Sequence, residues 1–434
     1  MSYETEAHPD RVEFLIDDAR SLETRLASID SYTAGILSRA LAGARPSVDE
    51  GAHLFGLRGN DLAALVAAAD HVRREDVGDV VTYVVNRNVN WTNICFVGCK
   101  FCAFAHLKTS PLAYDNPIES VIERIRDGVH RGATEVCMQG GINPEMPSDG
   151  YFKILRAVRE AFPSLHIHAY SPMEIFYGAR RSQMDYRSYI AELVASGLNT
   201  IPGTAAEILD DEVREILSHK KLDTATWVEI IRTAHSLGVP TTSTIMYGHI
   251  ETPAHWVRHM DLLRSIQKDT GGFTEFVPLS LIHSEAPMYS KKLVPGVRPG
   301  ATGVEVVRMH ALARVFLGPV IPNVQASWVK EGPKLAQILL DAGANDLGGT
   351  LINESISTSA GAAYGQLVPP AELRRLVRDA GRAPAQRDTL YNILRTYKDG
   401  DEDDSPLDRI EDAESRFGSY RRLVASGEFR FTQR

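Results

Sequence analysis

The stretch NWTNICFVGCKFCAF, residues 90–104, decides how this chain is interpreted. It holds Cys95, Cys99 and Cys102 in a C-x3-C-x2-C spacing, which places three thiols close together. Cysteine thiolates are the usual ligands of iron–sulfur clusters. A structural zinc site needs a fourth ligand, and His106 is the only candidate nearby. We therefore expect the three thiolates to hold a four-iron cluster that has one open iron.

An open metal position can bind a substrate or cofactor, as it does in catalytic zinc sites. Three thiols buried in a core are the alternative, but Gly98 and Lys100 interrupt any apolar pattern in this loop. The spacing, with the aromatic Phe101 before the last cysteine, resembles the signature of radical S-adenosylmethionine (SAM) enzymes. The fourth cysteine, Cys137, lies in the apolar run EVCMQGG and is predicted to be a core thiol.

The composition is typical of a soluble enzyme. The 434 residues are 44% hydrophobic and 24% charged, and the net charge of −9 gives no reason to expect nucleic acid or an anionic membrane as a partner. We find no apolar run of membrane-spanning length, and the polar N-terminus does not resemble a signal peptide. Thiolate ligands predict a reducing, cytoplasmic location without disulfides. The basic pairs Arg73-Arg74 and Lys220-Lys221 are interpreted as solvated helix surface.

Strands and helices alternate along most of the chain. Residues 1–78 are predicted to be helical, with a helix from Leu22 to Leu41, a capping box at Ser47 and Glu50, and a helix from Asp61 to Arg74. The acidic run KDGDEDDSP falls in a linker within 396–434, which ends in an amphipathic helix. Between them, residues 79–395 form the main domain. Its eight predicted strands are 81–91, 134–141, 165–171, 199–203, 241–248, 274–281, 324–330 and 348–354.

Alternating strands and helices predict an α/β fold with a parallel sheet. Eight strands favour a (β/α)8 barrel, with an open doubly wound sheet as the alternative. The cysteine loop follows the first strand, and barrel active sites lie at the C-terminal ends of the strands. We therefore expect the polar strand ends to face the cluster, namely 140–141, 168–174, 203–207, 247–251 and 353–354.

Longer blocks resemble a narrower family. The loop VVNRNVNWTNICFVGCKFCAFA (84–105) is similar to that of the radical SAM enzymes that build deazaflavin and futalosine-pathway menaquinone. Later blocks resemble the CofH subunit of FO synthase and the C-terminal half of the fused FO synthase. They are MQGGINPEMP, HIHAYSPMEI, GLNTIPGTAAEILDDEVREIL, STIMYGHIETPAHW, GGFTEFVPLS, ASWVKEGP, AGANDLGGTLINESIS and PAQRDTLY.

The resemblance implies a transferase that uses a [4Fe–4S] cluster and SAM. The open iron would bind the amino and carboxylate groups of SAM, and the cofactor would supply a 5′-deoxyadenosyl radical. The implied reaction cleaves the Cα–Cβ bond of L-tyrosine and joins the 4-hydroxybenzyl fragment to 5-amino-6-(D-ribitylamino)uracil. An electron donor of the flavodoxin or ferredoxin type is implied, as is a CofG-like partner enzyme that closes the deazaflavin ring.

Roles for single residues follow from the resemblance together with their positions. Phe101, Gly140 and Gly141 are expected beside SAM, since glycine lets backbone approach a ligand. Glu207 is expected to accept from the SAM ribose, and Arg214 on the following helix to pair with the SAM carboxylate. The remaining candidates are expected to contact substrate. They are His168 with Glu174, and Asn353 with Glu354 after the last strand. His168 is chosen because His166 and His168 are interpreted as pointing to opposite sides of one strand, so that only one of them faces the lumen.

One block departs from the family pattern. In GGTLINESISTSAGAAYG, Thr358 stands where an arginine is usual and Tyr364 where a histidine is usual. If these positions contact the pyrimidine, the acceptor is altered, and Asn353 and Tyr364 would bind it instead. The alternatives are therefore a CofH paralogue with a changed acceptor and a menaquinone-pathway enzyme, either a dehypoxanthine futalosine cyclase or an aminofutalosine synthase. A structural iron–sulfur or zinc protein is the non-enzyme alternative.

Overall fold

The strand that carries the cysteine loop is bent in its middle. A computed structural model describes residues 21–398, 400–401, 405–411 and 413–419. Within them, β1 (Val80–Val84) and β2 (Asn86–Val89) follow one another and are separated only by Val85. β1 pairs in parallel with β7 (Asp346–Gly349), while β2 pairs in parallel with β3 (Glu135–Met138). The two halves of this strand therefore bind different neighbours.

A closed ring of parallel strands follows from the remaining pairs. β3 pairs with β4 (His166–Ala169), and β5 (Thr241–Tyr247) pairs with β6 (Phe273–Ser280). Single bridges join His168 to Thr200, Ile201 to Thr241, Phe276 to Val324, and Gln325 to Asp346. The predicted barrel is thus confirmed, and the open sheet is wrong. The predicted strands at 199–203 and 324–330 contribute only these single bridges to the ring.

The chain also contains a hairpin that was not predicted from the sequence. β8 (Ala383–Arg387) lies parallel to β1, and β9 (Ile393–Thr396) pairs antiparallel with β8. The β8 sequence APAQR lacks an apolar alternation and contains a proline, so no strand pattern is visible there. Arg387, the last residue of β8, and Thr389 just beyond it both line the barrel cavity.

Helices surround the ring. Those of the N-terminal segment are α1 (Leu22–Ala27), α2 (Ser31–Leu41), α3 (Val48–Phe55) and α4 (Gly59–Val77). Those that follow are α5 (Ile118–His130), α6 (Gly150–Ala161), α7 (Pro172–Ser182), α8 (Tyr186–Ala195), α9 (Asp211–Ser218), α10 (Thr224–Ser236), α11 (Pro253–Thr270), α12 (Pro287–Ser290), α13 (Gly303–Leu317), α14 (Trp328–Glu331), α15 (Pro333–Leu339), α16 (Ser355–Ser359), α17 (Pro370–Asp379) and α18 (Ala413–Phe417), with a 3-10 turn at Leu340–Ala342.

The N-terminal helices pack on the outside of the barrel. The predicted capping box is present, since Ser47 Oγ accepts from the Glu50 backbone N–H and Glu50 returns the contact. The helix predicted from Leu22 to Leu41 is two helices, because Asp30 caps a second start. Phe55 meets the ring of Trp256 on α11 edge to face, with 4.3 Å between ring centroids. Residues 1–20 lie outside the described residues, as do residues 399 and 402–404 of the acidic run.

No helix among the described residues is both long enough and apolar enough to span a membrane.

Candidate active site

The cysteine loop is fixed by backbone hydrogen bonds to three other parts of the barrel. The Phe96 N–H donates to Ile142 O (3.2 Å), and the Lys100 N–H donates to Leu217 O (2.9 Å). The Met288 N–H donates to Lys100 O (2.6 Å). Within the loop, the Cys95 N–H donates to His106 O (2.9 Å). The loop therefore has a defined shape at the C-terminal end of β2, as predicted.

The three loop thiols suit a cluster in which each thiolate binds a different iron. Burial raises the pKa of Cys102 to about 12, and the neighbouring Cys99 and Cys95 raise it further. Burial likewise raises the pKa of Cys99. Both thiols are therefore protonated until a metal displaces the protons. Among the described residues, no three His, Cys, Asp or Glu side chains are grouped for a single metal ion.

A small pocket adjoins Cys99. It is lined by Phe101, Glu207, Arg214, Leu217, Ser218 and Lys221. The Ser218 hydroxyl donates to Cys99 Sγ (3.0 Å). Glu207 forms a buried ion pair with Lys221, whose ammonium lies 5.3 Å from the centre of the Phe101 ring. Two predicted SAM residues, Phe101 and Glu207, are thus brought together beside Cys99.

Arg214 has a different role from the predicted one. Its guanidinium donates to four backbone carbonyl oxygens, those of Ala205, Ala206, Ile208 and Leu222. These bonds hold the turn in which Glu207 takes a positive φ of 46°. Because those donors are already used, Arg214 does not offer a free pair of N–H groups to a SAM carboxylate. It positions Glu207 instead.

The two glycines after β3 are required by packing. A Cβ on Gly141 would lie 2.3 Å from the carbonyl oxygen of Ile94, and one on Gly140 would lie 2.7 Å from the Trp91 ring. Glycine therefore allows the cysteine loop to lie directly against this turn. The Gly140 N–H donates to Glu174 Oε1 (3.0 Å). That backbone donor is occupied in this conformation.

Glu174, which is predicted to contact substrate, does not line the barrel cavity. Its second oxygen accepts from the Ser171 N–H and hydroxyl, both at 2.7 Å, as part of a capping box that opens α7. Burial raises the pKa of Glu174 to about 7, against the donors that favour its ionised form. The carboxyl group therefore joins helix α7 to the turn at Gly140.

The barrel encloses a cavity of about 250 Å³. Most of the residues that line it carry a side chain able to form hydrogen bonds. Its polar lining residues are Asn86, Asn88, Asn90, Glu135, Gln139, His168, Thr204, Thr242, Thr244, Glu275, Gln325, Ser327, Lys330, Glu354, Ser357, Arg387 and Thr389. Cys137 also lines it, so this thiol faces the lumen and its assignment to an apolar core is wrong. Asn90, which begins the cysteine loop, lies at its upper end.

His168 faces the cavity, as predicted, but the reason given for it was wrong. His166 and His168 lie two residues apart and therefore on the same face of β4. Both rings contact the Thr200 hydroxyl, through His166 Nε2 (2.8 Å) and His168 Nδ1 (2.7 Å). Burial lowers the pKa of His168 to about 4. The ring is therefore neutral at physiological pH.

Of the two residues predicted to contact substrate after the last strand, Glu354 lines the cavity and Asn353 does not. Glu354 lines the cavity, where its carboxylate accepts from the N–H groups of Ile356 and Ser357 at the start of α16. Burial raises the pKa of Glu354. Asn353 does not line the cavity, because its amide donates to Gln366 Oε1 (2.8 Å) and Phe417 O (3.0 Å). Asn353 anchors the C-terminal segment through these contacts.

The two residues that depart from the family pattern also lie away from the cavity. Thr358 is buried within α16, where its hydroxyl donates to Glu354 O (3.0 Å). Tyr364 is 47% exposed, and its ring packs on Gly332. Neither side chain lines the cavity.

Charged residues at the lower end of the cavity were missed. Arg387 donates to Asp346 through Nε (2.6 Å) and Nη2 (3.1 Å). Glu275 accepts from the Tyr391 hydroxyl (2.5 Å), and burial raises its pKa to about 7. Glu135 accepts from the Thr389 hydroxyl (2.7 Å). No motif indicated this group, because Arg387 arrives on the unpredicted strand β8.

Comparison with known proteins agrees with this geometry. The radical SAM superfamily matches residues 89–263, and the CofH/MqnC C-terminal region matches residues 270–400. Radical SAM enzymes use a [4Fe–4S] cluster and SAM, the two cofactors predicted. Among solved structures, methylornithine synthase has a TM-score of 0.57 at 16% identity, covering 90% of this chain and 96% of its own. The hydrogenase maturase HydG from Carboxydothermus hydrogenoformans has a TM-score of 0.62 at 15% identity, covering 85% of this chain and 83% of its own. These two show the fold.

Sequence relatives narrow the family. The chain is 49% identical over 363 residues to the 5-amino-6-(D-ribitylamino)uracil–L-tyrosine 4-hydroxyphenyl transferase of Methanopyrus kandleri, covering 83% of this chain and 97% of the relative. It is 51% identical over 345 residues to the FO synthase of Mycobacterium leprae, covering 80% of this chain and 40% of that longer protein. These names favour CofH over the menaquinone enzymes. The chain therefore belongs to the family of the 5-amino-6-(D-ribitylamino)uracil–L-tyrosine 4-hydroxyphenyl transferases, within the radical SAM superfamily.

Proposed function

We propose that this chain cleaves L-tyrosine at Cα–Cβ and transfers the 4-hydroxybenzyl fragment to 5-amino-6-(D-ribitylamino)uracil. The observation that carries the proposal is the cavity, which extends from the cysteine loop to the charged lower end of the barrel and has a lining rich in hydrogen-bonding groups. When bound, the cluster and SAM supply a 5′-deoxyadenosyl radical. Cys95, Cys99 and Cys102 would hold the cluster, and Glu207 beside Phe101 would bind the SAM ribose.

The acceptor is a uracil with a chain of hydroxyl groups, which needs many hydrogen-bond partners. Two buried cavity atoms still lack one among the described residues, namely Asn88 Oδ1 and Thr204 Oγ1. A buried polar atom without a partner costs about 1–3 kcal/mol, so a polar ligand that reaches these atoms is stabilised. The neutral His168 ring and the Glu135 and Glu275 carboxyl groups add further polar sites deeper in the cavity.

The barrel also separates the reaction from water. Asn90, at the start of the cysteine loop, lines one end of the lumen, and Arg387 and Thr389 line the other. An enclosed site limits quenching of a radical by solvent. The proposal further includes an electron donor of the flavodoxin or ferredoxin type and a separate CofG-like enzyme that closes the ring.

Anaerobic incubation with SAM and dithionite tests the proposal. We expect 5′-deoxyadenosine to form, and its rate to rise when tyrosine and the ribitylaminouracil are both added. A protein that makes 5′-deoxyadenosine at the same rate with and without the two substrates would contradict the assignment. Stimulation by a futalosine-type substrate instead would assign the chain to menaquinone synthesis.

A further inference from the structure

Lys330 presents a positive charge to the cavity. It lies at the end of the short helix α14, and the accessible part of its side chain faces the lumen. Within the described part of the chain, the Lys330 ammonium has no carboxylate oxygen within 4.0 Å and makes no hydrogen bond. The other cavity cation, Arg387, is already neutralised by two contacts with Asp346.

The acidic groups around Lys330 are all engaged elsewhere. Glu354 accepts from two backbone N–H groups at the start of α16, and Glu331 accepts from the Ser280 N–H (3.3 Å). Glu207 is paired with Lys221. Burial lowers the pKa of Lys330, and Glu354 is the largest of the charges that oppose this shift. Lys330 is half-buried, and its ammonium has no carboxylate partner within 4.0 Å, so an anionic ligand in the cavity that supplies one is bound more tightly.

We infer that Lys330 binds the α-carboxylate of the tyrosine substrate. This inference rests on the proposed function. Of the two substrates, tyrosine has a carboxylate and the ribitylaminouracil has none. The SAM carboxylate is expected on the open iron, so it does not compete for this ammonium. An ammonium is a compact charge that pairs well with a single carboxylate.

The position of Lys330 also orients the substrate. Lys330 follows the barrel strand that forms the bridges at Val324 and Gln325, and it therefore lies towards the C-terminal ends of the strands, where the cysteine loop leaves β2. Glu135, Glu275 and Arg387 are grouped at the other end of the lumen. A carboxylate held by Lys330 therefore keeps the amine and Cα of tyrosine towards the cluster, and the phenol extends down the cavity. The amine is the end from which hydrogen is to be removed.

The experiment compares Lys330→Met, Lys330→Arg and Lys334→Met in the reconstituted full-length enzyme. Lys334 is exposed and four residues away, so it is a matched control. Loss of a charge-assisted hydrogen bond should raise the KM for tyrosine about 10- to 100-fold in Lys330→Met. The KM for the ribitylaminouracil and the affinity for SAM should stay unchanged. Lys330→Arg should recover part of the loss, and Lys334→Met should resemble the unmodified enzyme.

A second measurement uses tyramine, which lacks the carboxylate. In the unmodified enzyme, the inhibition constant of tyramine should be about 10- to 100-fold higher than the dissociation constant of tyrosine. Its inhibition constant should be the same in Lys330→Met. This comparison in the unmodified enzyme stands even if the variant does not fold.

Three results would distinguish an error in the assignment of Lys330 from an error in the proposed function. An unchanged KM for tyrosine in a Lys330→Met enzyme that still cleaves SAM would overturn the inference. A weakened affinity for SAM in place of tyrosine would also overturn it, because it would assign the ammonium to the cofactor. An unmodified enzyme that does not consume tyrosine would contradict the proposed function itself.

Discussion

The carboxylate of Glu207 and the ammonium of Lys221 form a buried ion pair beside the cysteine loop. The pair lowers the pKa of Glu207 and raises that of Lys221, in both cases against the effect of burial. Because the Lys221 ammonium also lies over the Phe101 ring, the pair connects the loop to helix α9 and the turn after it. We interpret this pair as the charged wall of the SAM site.

Removing one partner should therefore affect both SAM binding and stability. Glu207→Ala should weaken SAM binding by about 1.5–3 kcal/mol, the contribution of a charged hydrogen bond. Lys221→Met should destabilise the protein by about 3–5 kcal/mol, because it leaves a buried carboxylate unpaired. Titration with SAM and denaturant unfolding measure the two effects.

Lys220 provides the control for this pair, because it is exposed and adjacent in sequence. Lys220→Met should leave both SAM affinity and stability unchanged. An unchanged SAM affinity in Glu207→Ala would remove Glu207 from the site.

The cluster ligands can be separated from the fourth cysteine. Cys95→Ala, Cys99→Ala and Cys102→Ala should each abolish formation of 5′-deoxyadenosine, because each removes one thiolate ligand. Cys137→Ala should retain the brown cluster with about four irons. Iron analysis and the cleavage assay check this, and an active Cys99→Ala enzyme would exclude the cluster assignment.

His168 predicts a pH dependence with a definite sign. Burial lowers its pKa to about 4 from the ordinary 6.5, so the folded protein binds fewer protons than the unfolded chain between these values. The stability contributed by the neutral ring is present above pH 6.5 and is lost as the pH falls towards 4. Denaturant unfolding should show that the free energy of unfolding falls less steeply with decreasing pH in His168→Gln than in the unmodified protein. The exposed control His219→Gln should follow the unmodified protein. Equal slopes in all three proteins would rule out this contribution.

The departure from the family pattern should be neutral for the acceptor. Tyr364 is exposed and Thr358 is bonded within α16, so neither contacts the cavity. Tyr364→His should therefore leave the KM for the ribitylaminouracil unchanged, while Thr358→Arg should reduce stability by forcing a charge into a buried position. Steady-state rates and unfolding curves measure these effects. A large gain in rate with Tyr364→His would show that the departure does alter the acceptor site.

The cysteine spacing and the strand periodicity were sufficient to predict the barrel and the position of the loop. They were sufficient because both signals are local in sequence. In a parallel barrel, moreover, the C-terminal ends of all the strands lie on the same face, so a loop that follows a strand must lie there. The partners of long polar side chains are set by contacts distant in sequence. Arg214 was predicted to contact SAM, yet it binds backbone carbonyls, and Lys221 was assigned to the surface although it is buried in an ion pair.

Three further residues have surroundings that differ from the prediction or were not predicted, each for a specific reason. Glu174 was assigned to substrate, although the sequence SPME already permits a capping box in which the same glutamate is occupied. Lys330 lies in the block ASWVKEGP, which resembles the family, but no role was predicted for it. Only the folded barrel shows that its ammonium faces the cavity without a carboxylate partner. Arg387 was missed because β8 carries no strand pattern that a sequence can reveal.

The most direct test of the central claim follows the Cβ atom of tyrosine. The reconstituted enzyme is incubated anaerobically with SAM, dithionite, the ribitylaminouracil and L-tyrosine labelled with carbon-13 at Cβ, and the products are analysed by mass spectrometry. If Cα–Cβ is cleaved and the benzyl fragment is transferred, the label appears in a 4-hydroxybenzyl adduct of the ribitylaminouracil, and the glyoxylate released from the imine is unlabelled. Formation of 5′-deoxyadenosine with no labelled adduct, or with label in the glyoxylate, would contradict the account.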